Sequence, residues 1–173
     1  DHRVRHGEVL PEEIDRLAEF LARFHNRIRG SPLYAQYGSL ETWRVNWEEN
    51  FLQSEPAAGE LVASEVFAAI RHSVESFMER EAGRFAERVA GGFIRNGHGD
   101  LRCEHVCMGA PIRIIDCVEF NERFRYGDVA NDLAFLLMDL VAEGRPDLSR
   151  RLFLQYVEDT GDRGMAPLMP FYA

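Results

Sequence analysis

The sequence predicts a mainly α fold that carries one small β-hairpin. Apolar residues recur at helical spacing through residues 10–90 and again through 127–173. Four glycines interrupt this pattern between residues 91 and 100, and two short apolar runs then flank Gly109, Ala110 and Pro111. A chain of 173 residues has room for one core of ordinary size, so we expect a single domain over residues 1–173.

The first predicted helix begins at Pro11 and ends near Gly30. Proline suits the first helical position, and Glu12 and Glu13 favour the positive end of the helix dipole. We interpret His25, near the end of this helix, as a packed or capping residue. The apolar face is expected to contain Ile14, Leu17, Leu21, Phe24 and Ile28.

Two more helices are expected before the glycine-rich segment. One begins near Ser39, and its Trp43, Trp47 and Phe51 are four residues apart, which favours packing in the core. The other runs from about Glu60 to Val89 and bends or breaks near Gly83. Its predicted buried face contains Val66, Ile70, Val74 and Phe77.

The glycine-rich segment at residues 91–100 is predicted to be a loop, and the hairpin follows it. The runs HVCM (105–108) and IRIIDC (112–117) are predicted strands, with the turn at GAP. A helix then covers 127–144, with Asp128 near its start, and another follows Arg145 and Pro146, with Asp147 in its first turn. Val129, Leu133, Leu136, Leu137 and Leu140 are expected to face inward.

Composition excludes several classes of protein. The net charge of -9 argues against nucleic-acid binding, which normally needs a basic surface, and is compatible with a cationic ligand. No segment is apolar enough to span a bilayer, and DHRVRHGEVL at the start lacks the apolar part of a signal peptide, so we expect no membrane partner and a cytoplasmic location. The three cysteines, an odd number within one short region, are expected to be thiols.

Two aspartates near the hairpin indicate phosphoryl transfer. That chemistry needs one carboxylate near the acceptor hydroxyl, a second that holds a divalent ion, and a cation that offsets charge on the transferred group. Asp100 lies in the predicted loop and Asp116 at the end of a predicted strand. Asp100 would orient or deprotonate the hydroxyl, Asp116 would hold the metal, and Arg102 would be the cation.

Three segments together resemble the catalytic lobe of the aminoglycoside phosphotransferase family, which has a protein-kinase-like fold. They are HGDLRCEHV (98–106), IRIIDCVEF (112–120) and YGDVANDLAFLLMDL (126–140). The family has the pattern His-Gly-Asp-x-His-x-x-Asn, followed by a hairpin that ends in Ile-Asp. This chain matches that pattern at His98, Gly99, Asp100 and Asp116. The resemblance implies a C-terminal kinase-like lobe that moves the γ-phosphoryl group of ATP, with Mg²⁺, to a hydroxyl of an unknown small molecule.

The chain departs from the family pattern at two positions. Arg102 replaces the second histidine, and a guanidinium can still contact a γ-phosphate. His105 replaces the metal-binding asparagine, although Mg²⁺ prefers oxygen ligands. His105 could therefore reach the metal directly or through water, Glu104 could supply an oxygen instead, the second metal position could be lost, or His105 could shape the loop.

Three further residues receive roles beside the reacting groups. His98 is expected to support the loop by packing and hydrogen bonds. The resemblance implies that Asp132 accepts hydrogen bonds from the loop backbone, since a buried carboxylate must be paired. Glu119 follows Asp116 closely and is a candidate for binding the substrate.

The expected partners include protein segments as well as a substrate. No glycine-rich strand pair or strand lysine precedes the helices, so we expect the N-terminal nucleotide lobe to be absent and the isolated lobe to be inactive. The resemblance extends to a bacterial subgroup in which such a lobe is joined to a P-loop domain. Two alternatives stay open: a catalytically silent binding module, and a structural zinc site at His98, Cys103, His105 and Cys107.

Overall fold

The computed structural model describes residues 2–173, and helices make up most of these residues. Single turns of 3₁₀ helix occur at Gln36–Gly38, Glu55–Ala57 and Cys103–His105, and a longer one occurs at Arg163–Leu168. The strands are β1 (Ile94–Asn96), β2 (Val106–Cys107), β3 (Arg113–Ile114) and β4 (Tyr126–Asp128). The α-helices are α1 (His2–Arg5), α2 (Pro11–Arg27), α3 (Pro32–Ala35), α4 (Leu40–Ser54), α5 (Ser64–Arg80), α6 (Ala82–Ala90), α7 (Glu122–Arg125), α8 (Val129–Ala142), α9 (Pro146–Thr160) and α10 (Met169–Tyr172).

The main core lies between α2, α8 and α9. Helix α9 packs against both α2 and α8, and Leu21, Leu133 and Leu152 are fully buried where they meet. The predicted helix from Pro11 is confirmed, but Phe24 is 36% exposed, so its placement on the buried face was wrong. His25 is buried instead, because it continues the line of Leu17 and Leu21 along the helix at intervals of four residues.

The start of α4 confirms the helix predicted near Ser39. The Ser39 hydroxyl accepts a hydrogen bond from the Thr42 N–H at 3.2 Å and so caps the helix. Trp43 and Trp47 are half-buried, and their rings lie 5.4 and 5.9 Å from the ring of Phe171. These tryptophans therefore join α4 to the C-terminal helix, as the packing interpretation required.

The long third helix predicted from Glu60 is in fact two helices. Helix α5 begins at Ser64 and ends at Arg80. The helical structure is interrupted at Glu81 before α6, close to the expected bend at Gly83. Val66 and Ile70 are 51% and 45% exposed, so their predicted burial was wrong. The C-terminal half of α5, with Val74 and Phe77, packs against the main core, and Phe67 nearer its start contacts Phe51.

The predicted hairpin is confirmed, and a second strand pair accompanies it. Strands β2 and β3 are antiparallel, with Val106 opposite Ile114, and the chain turns between them through Gly109 and Pro111. Strands β1 and β4 are also antiparallel, although the sequence predicted only a loop at residues 91–100. The glycines conceal this short strand, and its partner is 34 residues away in the first register pair, Ile94 and Asp128.

Asp128 begins α8 and also joins a buried ion cluster. Its carboxylate accepts a hydrogen bond from the Ala130 N–H at 2.9 Å, which confirms the predicted cap. The Arg88 guanidinium donates to Asp128 at 2.7 Å and to Asp162 at 2.6 Å, and all three side chains are buried. The cluster thus ties α6 to the start of α8 and to the segment that follows α9.

Candidate active site

The side chain of Asp132 binds the backbone of the HGD loop, which we define as residues 97–105. This aspartate lies in the first turn of α8, and its carboxylate accepts hydrogen bonds from the His98 N–H at 2.7 Å and the Gly99 N–H at 2.8 Å. A Cβ at Gly97 would lie 2.3 Å from Asp132 Oδ2, so only glycine permits this approach. The loop therefore depends on a buried carboxylate more than thirty residues away in the chain.

Asp132 is also paired with His25, a contact that the sequence did not indicate. His25 Nε2 lies 3.6 Å from Asp132 Oδ2, and His25 Nδ1 shares a hydrogen bond of 2.8 Å with the Tyr156 hydroxyl. Burial would raise the pKa of Asp132, but the nearby imidazole and the two backbone N–H groups outweigh burial and lower it. The carboxylate is thus kept ionised, and the available sequence signal was only the position of His25 on the apolar face of α2.

His98 uses both ring nitrogens to shape the loop. Its Nε2–H donates to the carbonyl oxygen of Ile115 at 2.8 Å, and its Nδ1 accepts from the Asp100 N–H at 3.3 Å. Because the carbonyl oxygen can only accept, Nε2 carries the proton. Neither nitrogen is left for proton transfer to a substrate, so these contacts suit the supporting role expected for His98.

His105 and Asp116 meet across the hairpin. His105 Nδ1–H donates to the carbonyl oxygen of Asp100 at 2.7 Å, so Nε2 carries the free lone pair of the neutral ring. That Nε2 lies 3.6 Å from Asp116 Oδ2. The imidazole and the carboxylate are therefore close enough to contact one ion.

Asp116 has an unusual backbone for a residue other than glycine. Its φ is +63°, in the left-handed region that aspartate enters more readily than most residues. Its side chain is 81% exposed, so burial does not explain this conformation. Strain of this kind clusters at functional sites, where it aims a side chain into a cleft.

Asp100 and Asp116 line the same cleft, of about 870 Å³, which we term the acidic cleft. The roles assigned to the two aspartates from the sequence require them to lie near each other, and the hairpin that separates them in the chain brings them to one side. The apolar part of the wall was not foreseen, and it includes Phe124 and Phe135. The full lining consists of Gly99, Asp100, Asp116, Cys117, Val118, Glu119, Phe120, Phe124 and Phe135.

The other two predicted site residues differ in their placement. Glu119 is exposed and lines the acidic cleft beside Asp116. Arg102 is not among the residues that line the cleft, and its guanidinium lies 3.0 Å from Glu104. Both members of this ion pair are about half exposed, so the pair is weak enough for Arg102 to exchange partners.

The donor set suits Mg²⁺ better than structural zinc. Within residues 2–173 no group of three or more His, Cys, Asp or Glu side chains is placed to hold a metal ion. A structural zinc site needs four such ligands, so the predicted alternative at His98, Cys103, His105 and Cys107 is not supported. Magnesium commonly takes one or two carboxylates and completes its coordination with phosphate oxygens and water, which fits Asp116, whereas the imidazole of His105 is a softer donor than Mg²⁺ prefers.

Membrane insertion finds no support in the helices. Over the described part of the chain, none of them combines the length and the apolar character that crossing a bilayer demands. The longest helices, α2 and α5, have 17 residues each and carry charged side chains.

Comparisons with known proteins agree with this architecture. The chain matches the model of the phosphotransferase enzyme family (APH) over residues 1–171. It is 35% identical over 167 residues to the uncharacterized protein Rv2004c of Mycobacterium tuberculosis and, equally, to the uncharacterized protein Mb2027c of Mycobacterium bovis. Each match covers 94% of this chain but 33% of the relative, so the chain spans about a third of the relatives' length. No solved structure gives a significant match.

The family match includes the three segments that carried the resemblance. The predicted fold, a mainly α lobe of the kinase-like type with a small β-hairpin, is confirmed, and the β1–β4 pair is an addition to it. The chain therefore belongs to the phosphotransferase enzyme family, as its HGD loop, hairpin aspartate and α8 predicted.

Proposed function

We propose that this lobe transfers the γ-phosphoryl group of ATP to a hydroxyl of a small molecule. One observation carries the proposal: Asp100 and Asp116 line one cleft, while Asp132 holds the loop backbone between His98 and Asp100. Phosphoryl transfer depends mainly on such positioning and on electrostatic stabilisation.

Asp100 is the group proposed to act on the acceptor. The acceptor oxygen forms a bond to the γ-phosphorus, the bond from that phosphorus to the bridging oxygen breaks, and ADP leaves. The hydroxyl proton passes to the Asp100 carboxylate. Asp100 lies next to Gly99, whose N–H is bound by Asp132, so the position of the carboxylate is set by the buried support of the loop.

Asp116 is proposed as the chief Mg²⁺ ligand, with His105 as a second. Bound Mg²⁺ would neutralise negative charge on the phosphates. The hydrogen bond from His105 Nδ1 to the loop keeps its Nε2 directed to the side where Asp116 lies. Through this histidine, the metal site and the backbone of Asp100 are mechanically connected.

Arg102 and Glu119 have secondary proposed roles. Arg102 would leave Glu104 and pair with the transferred phosphoryl group, because a guanidinium binds phosphate through paired donors. Glu119 would contact the acceptor from the exposed rim of the acidic cleft.

The activity of the whole protein is also a proposal, since the chain spans about a third of its relatives' length. The nucleotide-binding lobe and a fused P-loop domain are the parts that the resemblance would place elsewhere in a longer protein. We therefore propose that turnover needs those parts and that this lobe supplies the reacting carboxylates.

The proposal is tested by an ATP phosphotransfer assay on the full-length protein in Mg²⁺. Asp100→Asn should lower kcat by about 10²- to 10⁴-fold while nucleotide affinity stays unchanged, because general base catalysis contributes about that much. Asp116→Asn, which tolerates the left-handed backbone, should weaken Mg²⁺-dependent nucleotide binding. Asp159→Asn, at an exposed position of α9, is the control and should change neither property.

Two results would reject the proposal. Full activity in Asp100→Asn would remove its role as base. A full-length protein that folds but neither binds MgATP nor turns over would favour the catalytically silent binding module.

A further inference from the structure

The buried histidine of α2 connects three helices beside the HGD loop. His25 is 1% exposed, and its ring lies between Tyr156 on α9 and Asp132 on α8. Its Nδ1 is 2.8 Å from the Tyr156 hydroxyl, and its Nε2 is 3.6 Å from Asp132 Oδ2. The three side chains therefore form a continuous series of polar contacts, which we term the buried relay, from α9 to the carboxylate that binds the loop.

The protons of the buried relay have a definite order. A carboxylate can only accept, so the ring nitrogen that faces Asp132 carries a proton. In the neutral ring, Nδ1 then accepts a hydrogen bond from the Tyr156 hydroxyl. Burial raises the pKa of Tyr156, so the phenol keeps the proton that it donates. The hydroxyl of Tyr156 thus holds the imidazole in the form that presents Nε2–H to Asp132.

The contact between His25 and Asp132 is electrostatic rather than a short hydrogen bond. Nε2 is buried and has no hydrogen-bond partner among residues 2–173. Such a group is rare in a folded protein, because a buried polar atom without a partner is costly. The attraction between Nε2–H and the ionised carboxylate offsets part of that cost, so the position of the ring and the position of the carboxylate depend on each other.

The two oxygens of Asp132 have different contacts. Oδ1 accepts a hydrogen bond from the Gly99 N–H, whereas Oδ2 accepts one from the His98 N–H and also faces His25. The terminal torsion of an aspartate side chain has a broad energy minimum, so a carboxylate turns easily unless its contacts prevent it. The contact from α2 restricts this rotation and keeps each oxygen on its own N–H group.

We propose that His25 is a positioning residue for phosphoryl transfer. Held by Tyr156, it keeps the Asp132 carboxylate in the orientation that binds both loop N–H groups, and so it sets the position of Asp100, which follows Gly99 in the chain. This inference rests on the proposed function, because it names a residue that supports the same transfer. Its effect can be large at a distance, since a displacement of about 1 Å at a reacting group can lower a rate about 10²-fold.

Hydrolysis of MgATP by the full-length protein, with water as the acceptor, measures the effect without knowledge of the natural acceptor. His25→Leu should lower kcat by about 10- to 100-fold and leave the KM for MgATP unchanged, because it is Asp100 that loses its position. His25→Gln should restore most of kcat, since the glutamine amide supplies an N–H in place of Nε2–H. The backbone is retained in both variants, because Arg95 donates a hydrogen bond to the His25 carbonyl oxygen.

Two controls separate positioning from a loss of stability. Leu148→Ala, in the same core and two turns of α9 away from Tyr156, should lower the melting temperature but not kcat in samples that stay folded. His72→Leu, at an exposed position of α5, should change neither property. An equal fall of kcat in Leu148→Ala would mean that His25 acts only through the stability of the core.

Tyr156→Phe tests the buried relay even if His25→Leu does not fold, because it removes one hydroxyl and keeps the ring. It should lower kcat by a smaller factor than His25→Leu. In the double variant it should add no further loss, because Tyr156 acts through His25. An unchanged kcat in Tyr156→Phe, or a full additional loss in the double variant, would contradict the relay.

NMR of the loop amides distinguishes a failure of this inference from a failure of the proposed function. The amide protons of His98 and Gly99, which donate to a carboxylate, should move upfield in His25→Leu and stay in place in His25→Gln. If they do so but the wild-type protein hydrolyses no ATP, the reaction is rejected and the hold of His25 on the loop stands. If wild type is active and His25→Leu changes neither these signals nor kcat, the inference is rejected and the reaction stands.

Discussion

Asp132 shows how one buried side chain determines the geometry of residues that react. It accepts hydrogen bonds from two backbone N–H groups of the HGD loop and faces His25, so one carboxylate makes three stabilising contacts. The sequence made Asp132 recognisable through the family pattern, whereas His25 looked like an ordinary packed residue. Its contact with Asp132 depends on how α2 and α8 are packed, and no local pattern encodes that distance.

Replacing Asp132 by asparagine should destabilise the protein in a pH-dependent way. The variant should lose about 2 to 3 kcal/mol of unfolding free energy near pH 7, because charge-assisted hydrogen bonds are lost. Since the folded pKa of Asp132 is lowered, its contribution is fully present above the unfolded pKa of about 3.9 and disappears as pH falls through the folded pKa. Urea denaturation should therefore show a difference in unfolding free energy between wild type and variant that is constant above about pH 5 and becomes smaller below about pH 4. The exposed Asp159→Asn variant should show no such difference.

Gly99→Ala tests the backbone of the HGD loop. Gly99 has φ +82°, and an added Cβ would lie 2.6 Å from the carbonyl oxygen of Phe124. The left-handed backbone and the clash together should cost about 2 to 5 kcal/mol of unfolding free energy. Chemical denaturation provides the measurement, with Gly83→Ala as the control, because that position in α6 has open space and alanine favours helix. Equal stabilities of the two variants would contradict the described loop.

Helices α6 and α8 are joined by a buried ion cluster, and its removal should be costly. Arg88→Met would leave Asp128 and Asp162 buried without their cation, so we expect a loss of about 3 to 5 kcal/mol. Arg84→Met, one turn earlier in α6, breaks only an exposed pair with Glu81 and should change little. Thermal and urea unfolding of both variants would decide. A similar loss of unfolding free energy in both variants would mean that the buried cluster stabilises the protein no more than the exposed pair does.

Helices and strands differed in how well the sequence predicted them. The caps at Ser39 and Asp128 and the periodicity of α2 and α8 are local signals, and these elements begin where expected. The exposure of Val66 and Ile70 was missed, because periodicity identifies an apolar face without showing that anything covers it. Strand β1 was missed because it has only three residues, and a segment that short, flanked by glycines, shows no recognisable alternation of apolar and polar side chains.

Thiol labelling of the folded protein tests its overall packing. Burial, with Asp139 nearby, raises the pKa of Cys103 to about 12, while Cys107 and Cys117 are exposed. Two thiols should therefore react quickly with iodoacetamide at pH 8, and the third only after unfolding, since the thiolate is the reactive form. Mass spectrometry of labelled peptides identifies the sites. Rapid modification of Cys103 in the folded state would contradict the packing of the hairpin.

The amino-acid sequence by itself determined the family, most of the helices, the hairpin and the identity of the two candidate carboxylates. These features depend on spacing within short segments, where periodicity, caps and turn residues act directly. Only the tertiary structure decided that Asp100 and Asp116 share one cleft, that β1 pairs with β4, and that His25 lies beside Asp132. The physical reason is that these arrangements join residues far apart in the chain, and their distances follow from how the helices pack.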